Sequence, residues 1–234
     1  MTPALRMLGS ISLLATLAVP RGAVHPMSRG VLCHGKSYVY TLYSPDAKAV
    51  LPAILVLHGA GGTGSDVADV WMPLAQREGV VLIAPELPRE LAFEEIAPKV
   101  FRCIVDDART RARIVSTRVY VFGWSMGGYL TFDAAMFESN YFAGAAVYGA
   151  AIGEYYWPIM DHAERMIPLA MYTGEHDPYV PLAAARETRD SLVARGFPVH
   201  FVELAGQGHY LPAVADTVTR DAWAYLSAFK LSPP

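Results

Sequence analysis

One segment near the middle of the chain, RVYVFGWSMGGYL at residues 118–130, constrains the fold more than any other. It begins with an apolar, β-branched run that is typical of a buried strand, and it continues into residues that favour a helix. Gly123 and Gly127 lie two positions before and after Ser125. Such spacing lets a strand pass into a helix through a sharp turn that lifts the serine hydroxyl above the sheet. The alternative is a glycine-rich turn with an idle serine, but the strand and helix around the motif predict that Ser125 is a nucleophile.

The rest of the chain alternates short apolar runs with longer amphipathic segments. Continuous runs such as PAILVL and VVLIA are typical of strands that are buried on both faces. Seven strands are predicted, at residues 37–43, 52–57, 80–84, 118–122, 143–148, 169–173 and 199–203. Five helices are predicted, at residues 66–78, 94–114, 126–138, 182–195 and 213–229. This alternation predicts an α/β fold, with a mostly parallel central sheet flanked by helices, in a single domain over residues 24–234.

Composition and charge exclude several classes of protein. The chain is 53% hydrophobic and 18% charged, which predicts a well-packed globular protein rather than a disordered one. Nineteen basic and 22 acidic side chains give a formal net charge of −3, without a block of like charges. We therefore expect no nucleic-acid partner, and the sequence leaves the oligomeric state open.

The N-terminus has the pattern of an export signal. Arg6 precedes an uncharged apolar run at residues 7–19, and small residues follow at 20–23. The run is shorter than the roughly 20 residues that a membrane-spanning helix needs. We predict that residues 1–23 form a signal peptide, that the protein is secreted or periplasmic, and that it has no stable membrane anchor. The alternative is an N-terminal segment that is frayed or docks against the core.

Cys33 and Cys103 are the two cysteines of the chain. In an exported protein such a pair can form one disulfide, and two separately buried thiols are the alternative. Neither cysteine has the spacing of a metal ligand, so no metal site is predicted.

A glycine-rich loop, LVLHGAGGTG at residues 55–64, follows the second predicted strand. Acyl transfer builds negative charge on a carbonyl oxygen, and fixed backbone N–H groups stabilise that charge. We predict that the N–H groups of Met126 and Ala60 form this oxyanion hole, with Gly61 as the alternative to Ala60. The loop lacks the G-x-x-x-x-G-K-[ST] pattern of a phosphate-binding loop, so nucleotide binding is not expected.

A serine nucleophile needs a base to take its proton, and the base needs a carboxylate to fix its tautomer. With this motif the order along the chain is serine, then the acid, then histidine. His209 is the predicted base because it lies in a glycine-containing loop after the last predicted strand, and His58 is the alternative. Asp177 is the predicted acid because it follows the preceding strand, and Glu175 is the alternative.

Aromatic side chains supply candidates for substrate binding. Trp124 and Tyr210 each adjoin a predicted catalytic residue in the sequence. Tyr155 and Trp157 belong to an aromatic cluster within residues 150–167. That cluster can cradle an acyl chain or an aromatic acid, and capping of the core is the equal alternative.

Four segments carry a resemblance to a known superfamily: YTLYSP leading to LVLHGAGG, STRVYVFGWSMGG, YTGEHDPYVP, and ELAGQGHY before a helix with Trp223. Over residues 38–228 the chain resembles α/β-hydrolases, and among them most closely secreted esterases of the polyhydroxybutyrate-depolymerase and feruloyl-esterase type. The resemblance implies the α/β-hydrolase fold and a Ser-His-Asp triad at Ser125, His209 and Asp177. The chain is too short for a large lid domain. Related dienelactone hydrolases use a cysteine where this sequence has a serine.

These expectations describe a serine hydrolase that cleaves small-molecule or polymer esters through an acyl-enzyme, without a cofactor or metal. A serine peptidase or an acyltransferase on the same fold is the enzymatic alternative, since the same triad would serve. A non-catalytic binding protein on this scaffold is the alternative from another class, although such proteins usually lack one triad member. The sequence does not indicate which ester is cleaved.

Overall fold

A computed structural model describes residues 26–45, 48–88 and 97–232, so the predicted signal peptide at residues 1–23 lies outside the described residues. Eight described strands form one sheet. They are β1 (Met27–Cys33), β2 (Lys36–Tyr43), β3 (Leu51–Leu57), β4 (Val81–Pro85), β5 (Ile114–Trp124), β6 (Gly144–Tyr148), β7 (Leu169–Gly174) and β8 (Val199–Leu204). Their order across the sheet is β1-β2-β4-β3-β5-β6-β7-β8.

The sheet is antiparallel only at one edge, where β1 pairs with β2 and β2 pairs with β4. All other neighbouring strands are parallel. The predicted mostly parallel sheet is therefore confirmed. Because parallel strands end at the same edge, the loops that follow β3, β5, β6, β7 and β8 can meet there.

Helices cover both faces of the sheet. They are α1 (Gly64–Glu78), α2 (Lys99–Arg109), α3 (Met126–Phe137), α4 (Leu182–Ala194) and α5 (Ala215–Leu226), with 3₁₀ helices at Glu154–His162 and Leu211–Val214. Alternate residues of β3 divide between two core layers, as expected when successive side chains point to opposite faces. Leu55 and Leu57 pack in the layer of α2 and α3, whereas Ile54 and Val56 pack in the layer of α1 and α5. The described residues form no large additional domain.

Two elements differ from the sequence-based prediction. The edge strand β1 was not predicted, because its sequence MSRGVLC lacks a continuous apolar run and only alternate side chains are partly covered. The predicted helix at residues 94–114 corresponds to α2, which ends at Arg109, and residues 94–96 lie outside the described ranges. Ile114 instead begins β5 and pairs with Leu51 of β3. Strand pairing at this position prevails over the helical periodicity.

Cys33 and Cys103 form a disulfide, which joins the end of β1 to α2. The structure thereby decides between the two alternatives that the sequence left open. Among the described helices, none combines the length and the apolar character that crossing a membrane requires.

Candidate active site

Ser125 occupies the turn between β5 and α3. Its backbone has φ +56° and ψ −118°, and among the described residues only His34 is another non-glycine with φ in the left-handed region. Such a conformation costs on the order of 1–3 kcal/mol and persists only where surrounding contacts impose it. The Ser125 N–H donates to the Tyr148 carbonyl at 2.9 Å, which ties the turn to the neighbouring strand β6.

Close packing explains why small residues flank this turn. A Cβ atom at Gly127 would overlap the Leu57 carbonyl at the end of β3. A Cβ atom at Gly123 would overlap the Gly127 carbonyl. The G-x-S-x-G spacing seen in the sequence is therefore required by the passage of α3 across the end of the sheet.

The three predicted catalytic residues form one hydrogen-bonded chain. The Ser125 Oγ lies 2.8 Å from His209 Nε2, and His209 Nδ1 lies 2.6 Å from Asp177 Oδ2. The side chain of Asp177 is fully buried, and its Oδ1 accepts the backbone N–H groups of Tyr179 and Val180, each at 2.9 Å. Because a carboxylate only accepts, Nδ1 of His209 carries the hydrogen and Nε2 presents a lone pair to the serine hydroxyl.

Hydrogen bonds from the sheet hold the loop that carries His209. The Tyr148 hydroxyl donates to the Gly208 carbonyl at 2.6 Å, and Trp124 Nε1 donates to the His209 carbonyl at 2.9 Å. Burial, with the negative charge of Asp177, raises the pKa of Tyr148 to about 12. The Tyr148 hydroxyl therefore keeps its hydrogen and remains a donor at neutral pH.

Gly149, directly after β6, is a site residue that the sequence analysis did not identify. It has φ +59°, and a Cβ atom there would lie 2.9 Å from both Nδ1 and Cε1 of the His209 ring and 3.3 Å from Asp177 Oδ2. A glycine is thus required both by the backbone and by the imidazole that packs against it.

The predicted oxyanion loop passes directly beside Ser125. A Cβ atom at Gly59 would lie 3.3 Å from the Ser125 Cβ, and Ala60 and Gly61 line the same cleft as Ser125. Met126 is the first residue of α3, where backbone N–H groups have no partner within the helix. The structure thus places the predicted donors next to the serine, and the choice between Ala60 and Gly61 stays a prediction.

The alternative base and the alternative acid have other roles. His58 is 1% exposed, its Nδ1 donates to the Gly59 carbonyl at 2.8 Å, and its Nε2 accepts the Leu87 N–H at 2.9 Å. Both of its ring nitrogens are occupied, so His58 holds the loop. Glu175 is exposed and accepts the Gly206 N–H at 2.9 Å, whereas Asp177 contacts His209.

An open cleft of about 720 Å³ contains the serine, and we call it the Ser125 cleft. Its volume lies in the range of about 300–1,000 Å³ that is typical of small-molecule sites. Trp124 and Tyr210 line it, as the sequence predicted, and Tyr179 joins them with its ring centroid 5.0 Å from that of His209. The sequence analysis did not identify Tyr179 as a site residue, although it lies only two residues after Asp177.

Two carboxylates, Asp66 and Asp69, line the Ser125 cleft, and its described lining contains no Lys or Arg.

Tyr155 and Trp157 do not line the Ser125 cleft, which corrects their predicted place beside the substrate. Tyr155 is 88% exposed and contacts the ring of Tyr156. Trp157 Nε1 donates to the Ile152 carbonyl at 3.1 Å, and its ring packs against the core. Trp157 therefore follows the alternative of covering the core, whereas Tyr155 remains in solvent.

Solved structures share this fold at low sequence identity. A thermostable esterase matches with a TM-score of 0.68 and 21% identity over 88% of this chain, which spans 63% of that protein. The S-formylglutathione hydrolase of Staphylococcus aureus matches with a TM-score of 0.73 and 14% identity, over 88% of this chain and 100% of that one. A ferulic acid esterase of the anaerobic fungus Anaeromyces mucronatus matches with a TM-score of 0.69 and 13% identity, over 88% and 91% of the two chains.

Sequence comparison identifies the family. No curated protein sequence shows significant similarity to the chain. The family model of dienelactone hydrolases, in contrast, matches residues 39–225, which include Ser125, Asp177 and His209. The predicted α/β-hydrolase fold is therefore confirmed. The chain belongs to the dienelactone hydrolase family of the α/β-hydrolase superfamily and is a hydrolytic enzyme.

Proposed function

We propose that this protein is a serine esterase that hydrolyses carboxylic esters through an acyl-enzyme at Ser125. The observation that carries the proposal is the hydrogen-bonded chain from Ser125 through His209 to the buried Asp177. This is the arrangement in which an imidazole removes the serine proton while a carboxylate fixes its tautomer. Two of the structural neighbours described above are named as esterases, which agrees with this chemistry.

In the first half of the reaction, Ser125 Oγ attacks the ester carbonyl carbon while His209 Nε2 takes the hydroxyl proton. The carbonyl oxygen becomes an oxyanion, which the N–H groups of Met126 and Ala60 stabilise. The intermediate collapses as the bond to the alcohol breaks and His209 returns its proton to the leaving oxygen. In the second half, water attacks the acyl-enzyme with the same base, releasing the acid and restoring Ser125.

The walls of the Ser125 cleft favour an uncharged ester over an anionic one. Asp66 and Asp69 provide negative charge at the cleft, and no described lining residue provides a counter-charge for an anion. The rings of Trp124, Tyr179 and Tyr210 offer apolar and aromatic surface to the substrate. We propose that these three residues contact a small-molecule or polymer ester.

A fluorophosphonate probe tests the nucleophile. We expect the native protein to be labelled on the peptide that contains Ser125, because the hydroxyl is activated only while it donates to His209, which Asp177 orients. Heat-denatured protein is the control and should remain unlabelled. Peptide mass spectrometry locates the label, and labelling at any other residue would exclude the mechanism.

Paired substrates distinguish an esterase from a peptidase. We expect hydrolysis of p-nitrophenyl acetate and butyrate, and no measurable hydrolysis of the matching p-nitroanilides, because an amine is a poorer leaving group. Anilide turnover without ester turnover would favour the peptidase. Formation of a new ester when a second alcohol is added, at the expense of hydrolysis, would favour the acyltransferase.

Gly149→Ala is expected to lower kcat/KM for ester hydrolysis by about 100-fold, because the added methyl group would displace the His209 ring. Gly196→Ala is the matched control. Gly196 also has a left-handed φ, +84°, but a Cβ atom there would meet nothing within 4 Å beyond its chain neighbours. Both variants carry the same kind of backbone strain, so both thermal melts should fall, while only the Gly149 variant loses activity. Equal activities in the two variants would contradict the packing of Gly149 against the catalytic imidazole.

We further propose that the protein is exported. The Cys33–Cys103 disulfide supports this, because structural disulfides form and persist mainly in oxidising compartments. The proposed signal at residues 1–23 agrees in its charge and apolar pattern.

A further inference from the structure

A second cavity lies between α3 and the 3₁₀ helix Glu154–His162, and its volume is about 220 Å³. It is lined by Tyr129, Asp133, Ile152, Tyr156 and Ile159. None of these five residues lines the Ser125 cleft. Asp133 follows Ser125 by eight positions, so it lies about 12 Å further along the axis of α3. The cavity is therefore distinct from the Ser125 cleft, although the Tyr129 hydroxyl lies near enough to Asp177 to interact with its charge.

Asp133 is the charged group of this cavity. Among the described residues, no hydrogen bond or ion pair reaches its carboxylate, and burial alone raises the pKa of Asp133 to about 6. At neutral pH the carboxylate is therefore ionised and partly desolvated, without a counter-charge from any described residue. A partly buried ion of this kind is stabilised by any ligand that brings a positive charge.

The remaining walls suit an organic cation. Ile152 and Ile159 offer apolar surface, and the rings of Tyr129 and Tyr156 can attract a cation through their π-faces. A cavity of about 150 Å³ already accommodates benzene in a protein interior, so this cavity has room for a substituted ring. We propose that it binds a compact organic ammonium ion, whose apolar part packs against the isoleucines while its nitrogen pairs with Asp133.

Calorimetric titration with benzylammonium and with benzyl alcohol, its neutral analogue, tests the proposal. We expect the wild-type protein at about pH 7.5 to bind benzylammonium at least about tenfold more tightly, because only the cation forms a charge-assisted hydrogen bond with Asp133. Asp133→Asn should lose this preference while retaining its affinity for benzyl alcohol, which also shows that the cavity remains folded.

Asp69→Asn is the matched control, because Asp69 lines the Ser125 cleft and is the competing place for a cation. The preference for benzylammonium should survive in this variant. Loss of the preference in Asp69→Asn, its survival in Asp133→Asn, or equal affinities of the two ligands for the wild-type protein would each overturn the proposal. The titration needs no turnover, so it stands or falls separately from the esterase activity.

Lowering the pH provides an independent readout. Tyr129 and Tyr156 are the other titratable groups on the cavity wall, and His162 of the 3₁₀ helix stacks on Phe137, one helical turn beyond Asp133. Protonation of Asp133 removes its charge, so affinity for benzylammonium should fall by about tenfold between about pH 7.5 and pH 5. Affinity for benzyl alcohol should stay constant. A benzylammonium affinity that does not change over this range would contradict pairing with Asp133.

Discussion

Asp177→Asn is expected to lower kcat/KM for ester hydrolysis by about 10⁴-fold at neutral pH, the size of the effect in serine proteases that lose the corresponding carboxylate. The reason lies in the two oxygens of the side chain. Oδ1 accepts two backbone N–H groups, from Tyr179 and Val180, so the amide oxygen of Asn should take that position. The NH₂ group then faces His209 and donates to Nδ1. The imidazole hydrogen moves to Nε2, which can no longer accept the proton of Ser125.

Glu175→Gln is the matched control for this variant. Glu175 precedes Asp177 by two residues, but it is exposed and bonded to the Gly206 N–H rather than to the imidazole. We expect its kcat/KM to stay within about threefold of the wild-type value and the thermal melts of both variants to resemble that of the wild type. Initial rates on p-nitrophenyl butyrate measure the effect. Loss of activity in Glu175→Gln together with its retention in Asp177→Asn would assign the acid to Glu175 and contradict the proposed triad.

The sequence predicts the positions of Ser125, Asp177 and His209 because each follows a strand that has a strong apolar signature. The carboxyl ends of β5, β7 and β8 share one edge of a parallel sheet, so residues far apart in the chain converge there. The hydrogen bonds of 2.8 and 2.6 Å between them require the folded loops. The local pattern thus indicates which residues can meet, and tertiary packing determines the geometry.

Residues whose role depends only on a contact in the folded protein could not be predicted from the local sequence pattern. Gly149 follows a strand like many other glycines, and its contact with His209 arises from the positions of β6 and of the loop after β8. Tyr155 and Trp157 illustrate the converse, since an aromatic cluster has the same sequence signature whether it lines a pocket or covers a core. The structure assigns Trp157 to the core and leaves Tyr155 in solvent.

Sequence periodicity also did not predict β1, the edge strand of the antiparallel part of the sheet. β1 contains Arg29 and Gly30, and strand propensity at an edge depends more on pairing than on composition. Its register with β2, from Met27 opposite Leu42 to Cys33 opposite Lys36, is a tertiary property. The same pairing brings Cys33 close to Cys103 of α2. Because the sequence did not predict β1, it could not distinguish a disulfide from two separately buried thiols.

Removal of this disulfide by replacing Cys33 and Cys103 with Ser is expected to lower the free energy of unfolding by about 4 kcal/mol. The cross-link joins positions 70 residues apart, and a closed loop of that length strongly restricts the unfolded chain. It also ties the edge strand β1 to a helix of the core. Urea unfolding followed by circular dichroism measures the difference between the wild-type protein and the double variant.

Reduced wild-type protein separates the cross-link from the change of side chain, since Cys33 is buried and a serine there loses packing as well. We expect reduction to account for most of the loss of stability in the double variant.

Protein produced with residues 1–23 and recovered from the periplasm of a bacterial host should contain the disulfide. Protein produced without these residues in the cytosol should contain two free thiols and show the reduced stability. Two free thiols in the periplasmic protein, or equal stability of the oxidised and reduced forms, would contradict a structural disulfide that forms on export.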